Sequence, residues 1–172
     1  MAWRSVVEGS LLADVAATER IQAEWRLLTA AVLVGLGDAA LSLAVTYAKD
    51  RSAFGVPIGS FQAIAHPLVD VAIGIESARR LVHKAAWYYD HEPQSLGGRV
   101  SMAFIHAAES AERAGYVAIH TQGGFGFTVE SDVQLFYRRA KAWPLLAGDR
   151  RREYQRLADT LYGAVDERSG VA

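Results

Sequence analysis

Cysteine is absent from this sequence, and proline occurs only four times in 172 residues. The absence of cysteine excludes disulfides, thiolate zinc sites and cysteine nucleophiles, and it fits a reducing compartment. Near the N-terminus, Glu8 and Asp14 interrupt the stretch in which a signal peptide would need its apolar core. We therefore expect a cytoplasmic protein.

An excess of either charge is also missing, since 18 Lys and Arg residues stand against 19 Asp and Glu residues, for a net charge of -1. This balance gives no indication of a nucleic-acid partner. The most apolar run, residues 27–48, has Asp38 at its centre, and a carboxylate in the middle of a bilayer costs roughly 2.5–3.5 kcal/mol. We interpret the run as a buried helix and expect no membrane span.

Motifs for metal binding and nucleophilic catalysis are missing as well. The sequence contains no HExxH, EF-hand, GxSxG or P-loop pattern. His106 and Glu109 stand three residues apart, but a di-iron bundle needs a second such pair on a facing helix. We predict no metal site.

Helical periodicity, by contrast, runs along nearly the whole chain. With 51% hydrophobic residues, the chain can bury one sizeable core. The spacing of apolar residues predicts five helices, over residues 18–50, 60–91, 98–121, 131–143 and 149–163. Ser60 is the expected N-cap of the second helix, and the first, which is apolar nearly all round, is expected to be enclosed by its neighbours. We predict an all-α fold, an antiparallel four-helix-type bundle with additional short C-terminal helices.

The second and third predicted helices each carry one core-facing row. The stripe of the second consists of Ile64, Leu68, Val71, Ile75, Ala78, Val82, Ala85 and Tyr89. The inner row of the third consists of Val100, Phe104, Ala107, Ala111, Ala114 and Ala118. Alanine, together with Gly115, permits a close approach between helices.

Two glycine-rich connections between helices contain polar and aromatic residues that a turn does not require. Polar and aromatic groups surround both of them: Arg51, Phe54 and Gln62 in RSAFGVPIGSFQ, and His120, Gln122, Phe125 and Thr128 in HTQGGFGFT. Glycine lets a ligand approach backbone N–H groups, arginine offers a fork to a pyrophosphate, and phenylalanine offers a face for stacking. These groups favour a nucleotide ligand, and two ordinary interhelical turns are the alternative.

Both connections fit signatures of one known family. The first pattern, approximately Y…R..FG.PI..FQ, is matched by Tyr47, Arg51, Phe54, Gly55, Pro57, Ile58, Phe61 and Gln62. The second is matched by Gly123, Gly124, Gly126, Phe127, Thr128, Glu130, Asp132, Arg138, Arg139 and Lys141. Over residues 8–162 the sequence resembles the C-terminal helical domain of the acyl-CoA dehydrogenase family.

The resemblance implies an FAD cofactor shared between subunits. In this family the arginine, phenylalanine and glutamine of the first signature contact the FAD of a neighbouring subunit, which implies that role for Arg51, Phe54 and Gln62. The glycines of the second signature, Gly123 and Gly124, would lie along the adenosine-pyrophosphate part. His120 stands where the family usually has a glutamine, and it can still donate one hydrogen bond.

The resemblance also implies α,β-dehydrogenation of an acyl-CoA thioester by a carboxylate base. The two base positions known in the family fall on Ala147 and Trp25, and neither side chain can take a proton. Asp149 and Glu24 are the nearest carboxylates; Asp149 is favoured as a helix N-cap, and Glu24 would point about 100° away from residue 25. Arg26, which matches a family arginine, is a candidate for substrate binding.

Two hypotheses follow for the molecule. In the first, residues 14–165 are the helical domain of an acyl-CoA dehydrogenase-like flavoprotein that lacks its own base, and a homo-oligomer or a related subunit completes the FAD site. In the second, the helices form a noncatalytic oligomerisation or acyl-CoA-binding module. Residues 1–13, with a plausible strand at 5–12, would be a remnant of a preceding β domain or disordered, and residues 166–172 a disordered tail. Fatty, branched and steroid acyl groups are all compatible with the sequence.

Overall fold

The computed structural model describes residues 15–96 and 98–163, so the strand predicted at 5–12 and the tail predicted at 166–172 lie outside the described residues. The helices are α1 (Val15–Asp50), α2 (Gln62–His91), α3 (Arg99–Gln122), α4 (Val133–Ala142) and α5 (Arg150–Tyr162). Two short strands, β1 (Ser52–Ala53) and β2 (Val56–Pro57), lie between α1 and α2. Short 3₁₀ turns cover Ile58–Ser60, Pro93–Ser95, Gly123–Phe127 and Trp143–Ala147. The predicted all-α class is confirmed.

The first three helices form an up-down-up arrangement. Asp38 of α1 pairs with Arg79 of α2 at 3.2 Å, and the earlier Glu24 accepts a hydrogen bond at 3.3 Å from the later Tyr89, so α1 and α2 are antiparallel. Ser77 of α2 contacts His106 of α3, and the earlier Gly74 contacts the later Ser110, so α2 and α3 are also antiparallel and α3 runs parallel to α1.

Helix α3 forms the centre of the bundle, because α4 and α5 pack along it one after the other. Gly115 of α3 lies against Tyr137 of α4, while Glu112 binds Lys141 at 2.7 Å and Arg150, at the start of α5, at 2.8 Å. Both short helices run antiparallel to α3 and together occupy the fourth position of the bundle. The predicted four-helix-type bundle with short C-terminal helices is therefore confirmed.

The core-facing rows of α2 and α3 are where periodicity placed them. All six residues of the α3 row are buried, and so are the six central residues of the α2 stripe, while Ile64 and Tyr89 are partly buried against the core. A Cβ on Gly115 would approach the Cα of Tyr137 to 2.8 Å. The expected close approach at this glycine is confirmed, and its neighbour is α4.

The N-cap prediction for α2 is wrong. Ser60 belongs to a 3₁₀ turn, Phe61 occupies the N-cap position without a side-chain hydrogen bond, and the helix begins at Gln62. The Ile58 N–H donates to the Arg51 carbonyl at 2.8 Å, which holds the chain in its turn up to this point. Asp149, by contrast, does cap α5, because its Oδ1 accepts from the Arg151 N–H at 3.0 Å.

The expectation that neighbours enclose α1 is wrong on one side. Its inner residues, such as Leu33 and Ala44, are fully buried, whereas Ile21, Leu28 and Val32 are half-exposed or more. By length and composition alone α1 is long and apolar enough to cross a membrane. The inner side of α1 is nevertheless buried against the other helices, as in a helical bundle.

Candidate functional site

The first glycine-rich connection is a two-residue β-hairpin. Ser52 pairs with Pro57 and Ala53 with Val56, leaving Phe54 and Gly55 at the tip. Both tip residues have positive φ, 53° and 82°, the pattern of a type I′ turn, in which Asn-Gly is strongly favoured. Periodicity could not predict this hairpin, because strands of two residues have no repeat.

Phe54 is held in an unfavourable state for its residue type. The left-handed conformation costs an L-residue other than glycine roughly 1–2 kcal/mol. The side chain is 97% exposed, and its ring meets only the edge of Phe61, at 6.2 Å between centroids, among the described residues. The hairpin therefore has an exposed aromatic ring at its tip.

Arg51 and Gln62 frame this hairpin at the end of α1 and the start of α2. Both side chains are exposed, and within the described residues neither forms a side-chain hydrogen bond or an ion pair. The guanidinium and the amide are thus free to bind a ligand. The three residues singled out in the first signature lie together around one turn.

The second connection is built from glycines with different roles. Gly123 ends α3 with φ 64° and ψ −141°, a conformation that side chains disfavour. Gly126 is buried, and a Cβ there would lie 2.8 Å from the Ile119 carbonyl oxygen. Gly124 is exposed, and a Cβ there would meet nothing within 4 Å. Close packing therefore requires glycine at position 126. At position 124 no described residue occupies the space that a side chain would fill.

Two of the other candidate groups in this connection hold the turn together. The Gln122 Oε1 accepts from the Ser131 hydroxyl at 2.6 Å, and the Thr128 hydroxyl donates to the Phe125 carbonyl at 2.9 Å. His120 is exposed and stacks on Tyr116, with 6.4 Å between ring centroids. His120 therefore stays available to a ligand, while Gln122 is already engaged.

Both connections lie at the same end of the bundle. Gly37 of α1 lies against Ala111 of α3, where an added Cβ would be 3.3 Å from the Ala111 Cα. From this contact the two parallel helices continue for about three turns each to their C-terminal ends. The hairpin follows the end of α1 and the glycine turn follows the end of α3, so the two turns lie at the same end of the bundle.

The two base positions border an apolar groove on the outer side of α1. A groove of about 360 Å³ is lined by Trp25, Leu28, Thr29, Val32, Trp143 and Leu146. Trp25 packs against Phe104, with 6.1 Å between ring centroids, and Ala147 ends the 3₁₀ turn that contains Leu146. Apart from Thr29, the lining of the groove is therefore apolar.

The nearby carboxylates are both engaged elsewhere. Asp149 caps α5 through the Arg151 N–H. Glu24 accepts a hydrogen bond from the Tyr89 hydroxyl. Neither carboxylate lines the groove.

Sequence reasoning missed the partner of Arg26. Glu153 is only 2% exposed, and its two carboxylate oxygens accept from the Nε and Nη2 of Arg26, at 3.1 Å each. Arg156 adds a third hydrogen bond at 2.6 Å, as a buried charge requires. The available signal was a lone glutamate after three arginines in the first turn of a predicted helix.

His106 and Glu109 serve separate contacts. The His106 Nε2 is 2.6 Å from the Ser77 hydroxyl of α2, whereas Glu109 accepts from Tyr154 of α5 and raises the pKa of that tyrosine above its usual value. Among residues 15–96 and 98–163, no three His, Asp or Glu side chains come together as a possible metal site.

This chain is similar in sequence to a known protein family. The sequence profile described as "Acyl-CoA dehydrogenase, C-terminal domain" matches residues 15–161. The chain is 42% identical over 132 residues to a probable acyl-CoA dehydrogenase, YngJ, of Bacillus subtilis, covering 77% of this chain and 34% of that protein. The chain thus spans about a third of that relative's length.

Solved structures agree with the sequence match. Butyryl-CoA dehydrogenase from Megasphaera elsdenii superposes with a TM-score of 0.77 at 32% identity, over 81% of this chain and 36% of that one. A chain of the ChsE4-ChsE5 complex from Mycobacterium tuberculosis superposes with a TM-score of 0.80 at 26% identity, over 86% and 40%.

Proposed function

Because the chain belongs to the acyl-CoA dehydrogenase family through its C-terminal domain, we propose that it forms the flavin-facing helical part of an FAD-dependent oxidoreductase that acts on an acyl-CoA thioester. The observation that carries the proposal is Phe54, fully exposed and left-handed beside a free arginine. A strained aromatic residue that is almost fully exposed, with only an edge contact to Phe61 among the described residues, indicates a functional role.

The groups around the two turns fit FAD. Arg51 offers a fixed fork of donors to a pyrophosphate, and Phe54 offers a face to a ring. The open space beside Gly124 lets the ligand reach the backbone N–H groups. FAD, when bound, supplies the hydride acceptor for dehydrogenation, while Arg51, Phe54, Gln62, His120, Gly123 and Gly124 bind and orient it.

A second chain completes the FAD site in this proposal. Phe54 is 97% exposed and a Cβ on Gly124 would meet nothing within 4 Å, so both turns present open surface that a second chain can face. The partner is a second copy or a related subunit. One neighbour in the comparisons is itself a complex of two named proteins, ChsE4 and ChsE5, which supports the second possibility.

The chain does not supply the catalytic base in this proposal. Trp25 and Ala147 hold the two positions where the family places it, and the neighbouring carboxylates are engaged. A companion subunit would then contribute the carboxylate that removes the α-proton. The same observation favours the alternative, a noncatalytic module for oligomerisation or acyl-CoA binding.

The test of the FAD assignment is Arg51→Ala in the intact protein. Flavin retention, measured by the absorbance of purified protein at equal concentration, should fall several-fold, because the pyrophosphate loses a charged donor. Helicity by circular dichroism should not change, since Arg51 is exposed. Arg80→Ala, which removes an exposed arginine further along α2, serves as the matched control. Equal flavin content in both variants would contradict the assignment.

Enoyl-CoA formation separates the two functions. With FAD and the completing subunit present, the enzymatic hypothesis expects flavin absorbance and turnover of acyl-CoA. The noncatalytic hypothesis expects neither under the same conditions.

A further inference from the structure

A second cavity lies at the end of the bundle opposite the glycine-rich turns. It measures about 300 Å³ and is lined by Leu81 and Lys84 of α2, Arg99 and Met102 of α3, and Leu161 of α5, with Gly98 and Thr160 at its edge. Lys84 is about six turns along α2 from Gln62. The cavity is therefore separate from the proposed FAD site, and binding there does not require FAD.

The walls of this cavity are apolar and closely packed at one corner. Leu81, Met102 and Leu161 supply aliphatic and thioether surface. A Cβ on the buried Gly98 would come within 2.5 Å of Leu157 Cδ1 and 3.9 Å of Leu161 Cδ2. Glycine at the start of α3 thus lets α5 close one side of the cavity.

The cavity also carries two cations that no carboxylate neutralises within residues 15–96 and 98–163. Lys84 is exposed and forms no ion pair there. Arg99 is held in place because its Nη1 donates to the Ser95 and Leu96 carbonyls and its guanidinium carbon lies 4.0 Å from the centroid of the Tyr88 ring. The Nε and Nη2 donors have no acceptor among the described residues, so they can receive an anion.

We propose that this cavity binds a medium-chain alkyl carboxylate. The carboxylate lies between Lys84 and Arg99, and the alkyl chain lies along Leu81, Met102 and Leu161. Guanidinium and ammonium groups beside an apolar wall select an anion with an apolar body. The volume is at the lower limit of small-ligand pockets, about 300–1,000 Å³, which fits a short or medium chain.

Calorimetric titration of the purified chain with octanoate tests the site. We expect saturable one-to-one binding that Lys84→Glu weakens at least tenfold and that octanol, which lacks the charge, does not reproduce. Lys49→Glu, at the opposite end of the bundle, should bind octanoate like the unchanged chain. Thermal unfolding of each variant shows whether it is folded. No saturable binding, equal affinity of Lys84→Glu, or equally tight octanol would overturn the proposal.

The chain's own C-terminal residues are the competing occupant. Asp166 and Glu167 follow α5 in the sequence within six residues of Leu161, and either could approach the same cations. The double variant Asp166→Asn/Glu167→Gln decides between them. Unchanged octanoate affinity supports a site for a free carboxylate, whereas a tenfold gain would show that the chain occupies the site itself and would overturn the proposal.

Discussion

At the scale of single residues, Phe54 combines local strain with complete exposure. Asn-Gly is the preferred pair at positions with two positive φ values, so Phe54→Asn should leave the free energy of unfolding unchanged or raise it by up to about 1 kcal/mol. Flavin retention should fall, because the aromatic face is lost. Chemical denaturation and flavin absorbance of the same samples measure the two effects. Phe54→Tyr keeps the ring and should keep the flavin; equal retention in the asparagine variant would argue that the ring has no role.

Gly124 and Gly126, two positions apart, offer a second test at the residue scale. Gly124→Ala places its Cβ in open space, so we expect normal stability and weaker flavin binding, because the methyl group blocks approach to the backbone. Gly126→Ala forces its Cβ to 2.8 Å from the Ile119 carbonyl, so we expect a lower melting temperature. Thermal unfolding and flavin content of both variants provide the comparison. Gly124→Ala with full flavin content would mean that the ligand does not approach this turn.

At the scale of elements, the sequence predicts the helices well and the turns poorly. The α2 stripe and the α3 row follow from a period of three or four residues that burial obeys over 30 and 24 residues. The hairpin at Phe54, the 3₁₀ turn that displaces the N-cap from Ser60, and the Arg26–Glu153 pair depend on contacts between residues distant in sequence or on single backbone angles. The resemblance singled out residues around the two turns, but only the fold shows that Gln122 is engaged and that Gly124 is open.

Glu112 links three elements and makes their packing sensitive to acid. Burial raises the pKa of Glu112, but hydrogen bonds from Lys141 of α4 and Arg150 of α5 outweigh burial, and the net pKa lies below the usual 4.5. A carboxyl whose pKa is lowered by folding contributes stability above its unfolded pKa and loses it as pH falls through the folded value. Denaturation at several pH values should therefore show Glu112→Gln to be less stable by about 1 kcal/mol or less at pH 7. The difference should shrink as pH falls below the usual 4.5 and disappear once Glu112 is protonated in the folded protein.

The control for this pH dependence is Glu92→Gln. The Glu92 carboxylate forms no ion pair among the described residues, so its removal should change stability little at any pH. A difference for Glu112→Gln that persists unchanged into strong acid would show that the three-element contact is not electrostatic.

At the scale of the whole molecule, one side of the bundle has an exposed apolar surface. The outer side of α1 exposes Ile21, Leu28 and Val32, and the adjoining 3₁₀ turn exposes Leu145 and Leu146. Exposed apolar surface of this kind marks a site of interaction. This chain covers 34% of the length of YngJ, and in the proposed assembly a second chain would cover this apolar surface.

If FAD bridges two chains, its binding must depend on association. At a fixed excess of FAD, the fraction of chain that carries flavin should rise with chain concentration, because ligand and partner each bind the state that the other stabilises. Flavin absorbance combined with sedimentation over the same concentrations measures both quantities, and the titration is repeated with a companion subunit in place of additional chain. Arg51→Ala should associate normally and lose flavin, which separates the two steps. A monomeric chain that binds FAD one-to-one, with an affinity independent of its concentration, would place the whole site within one polypeptide and remove the reason for Phe54 to face outward.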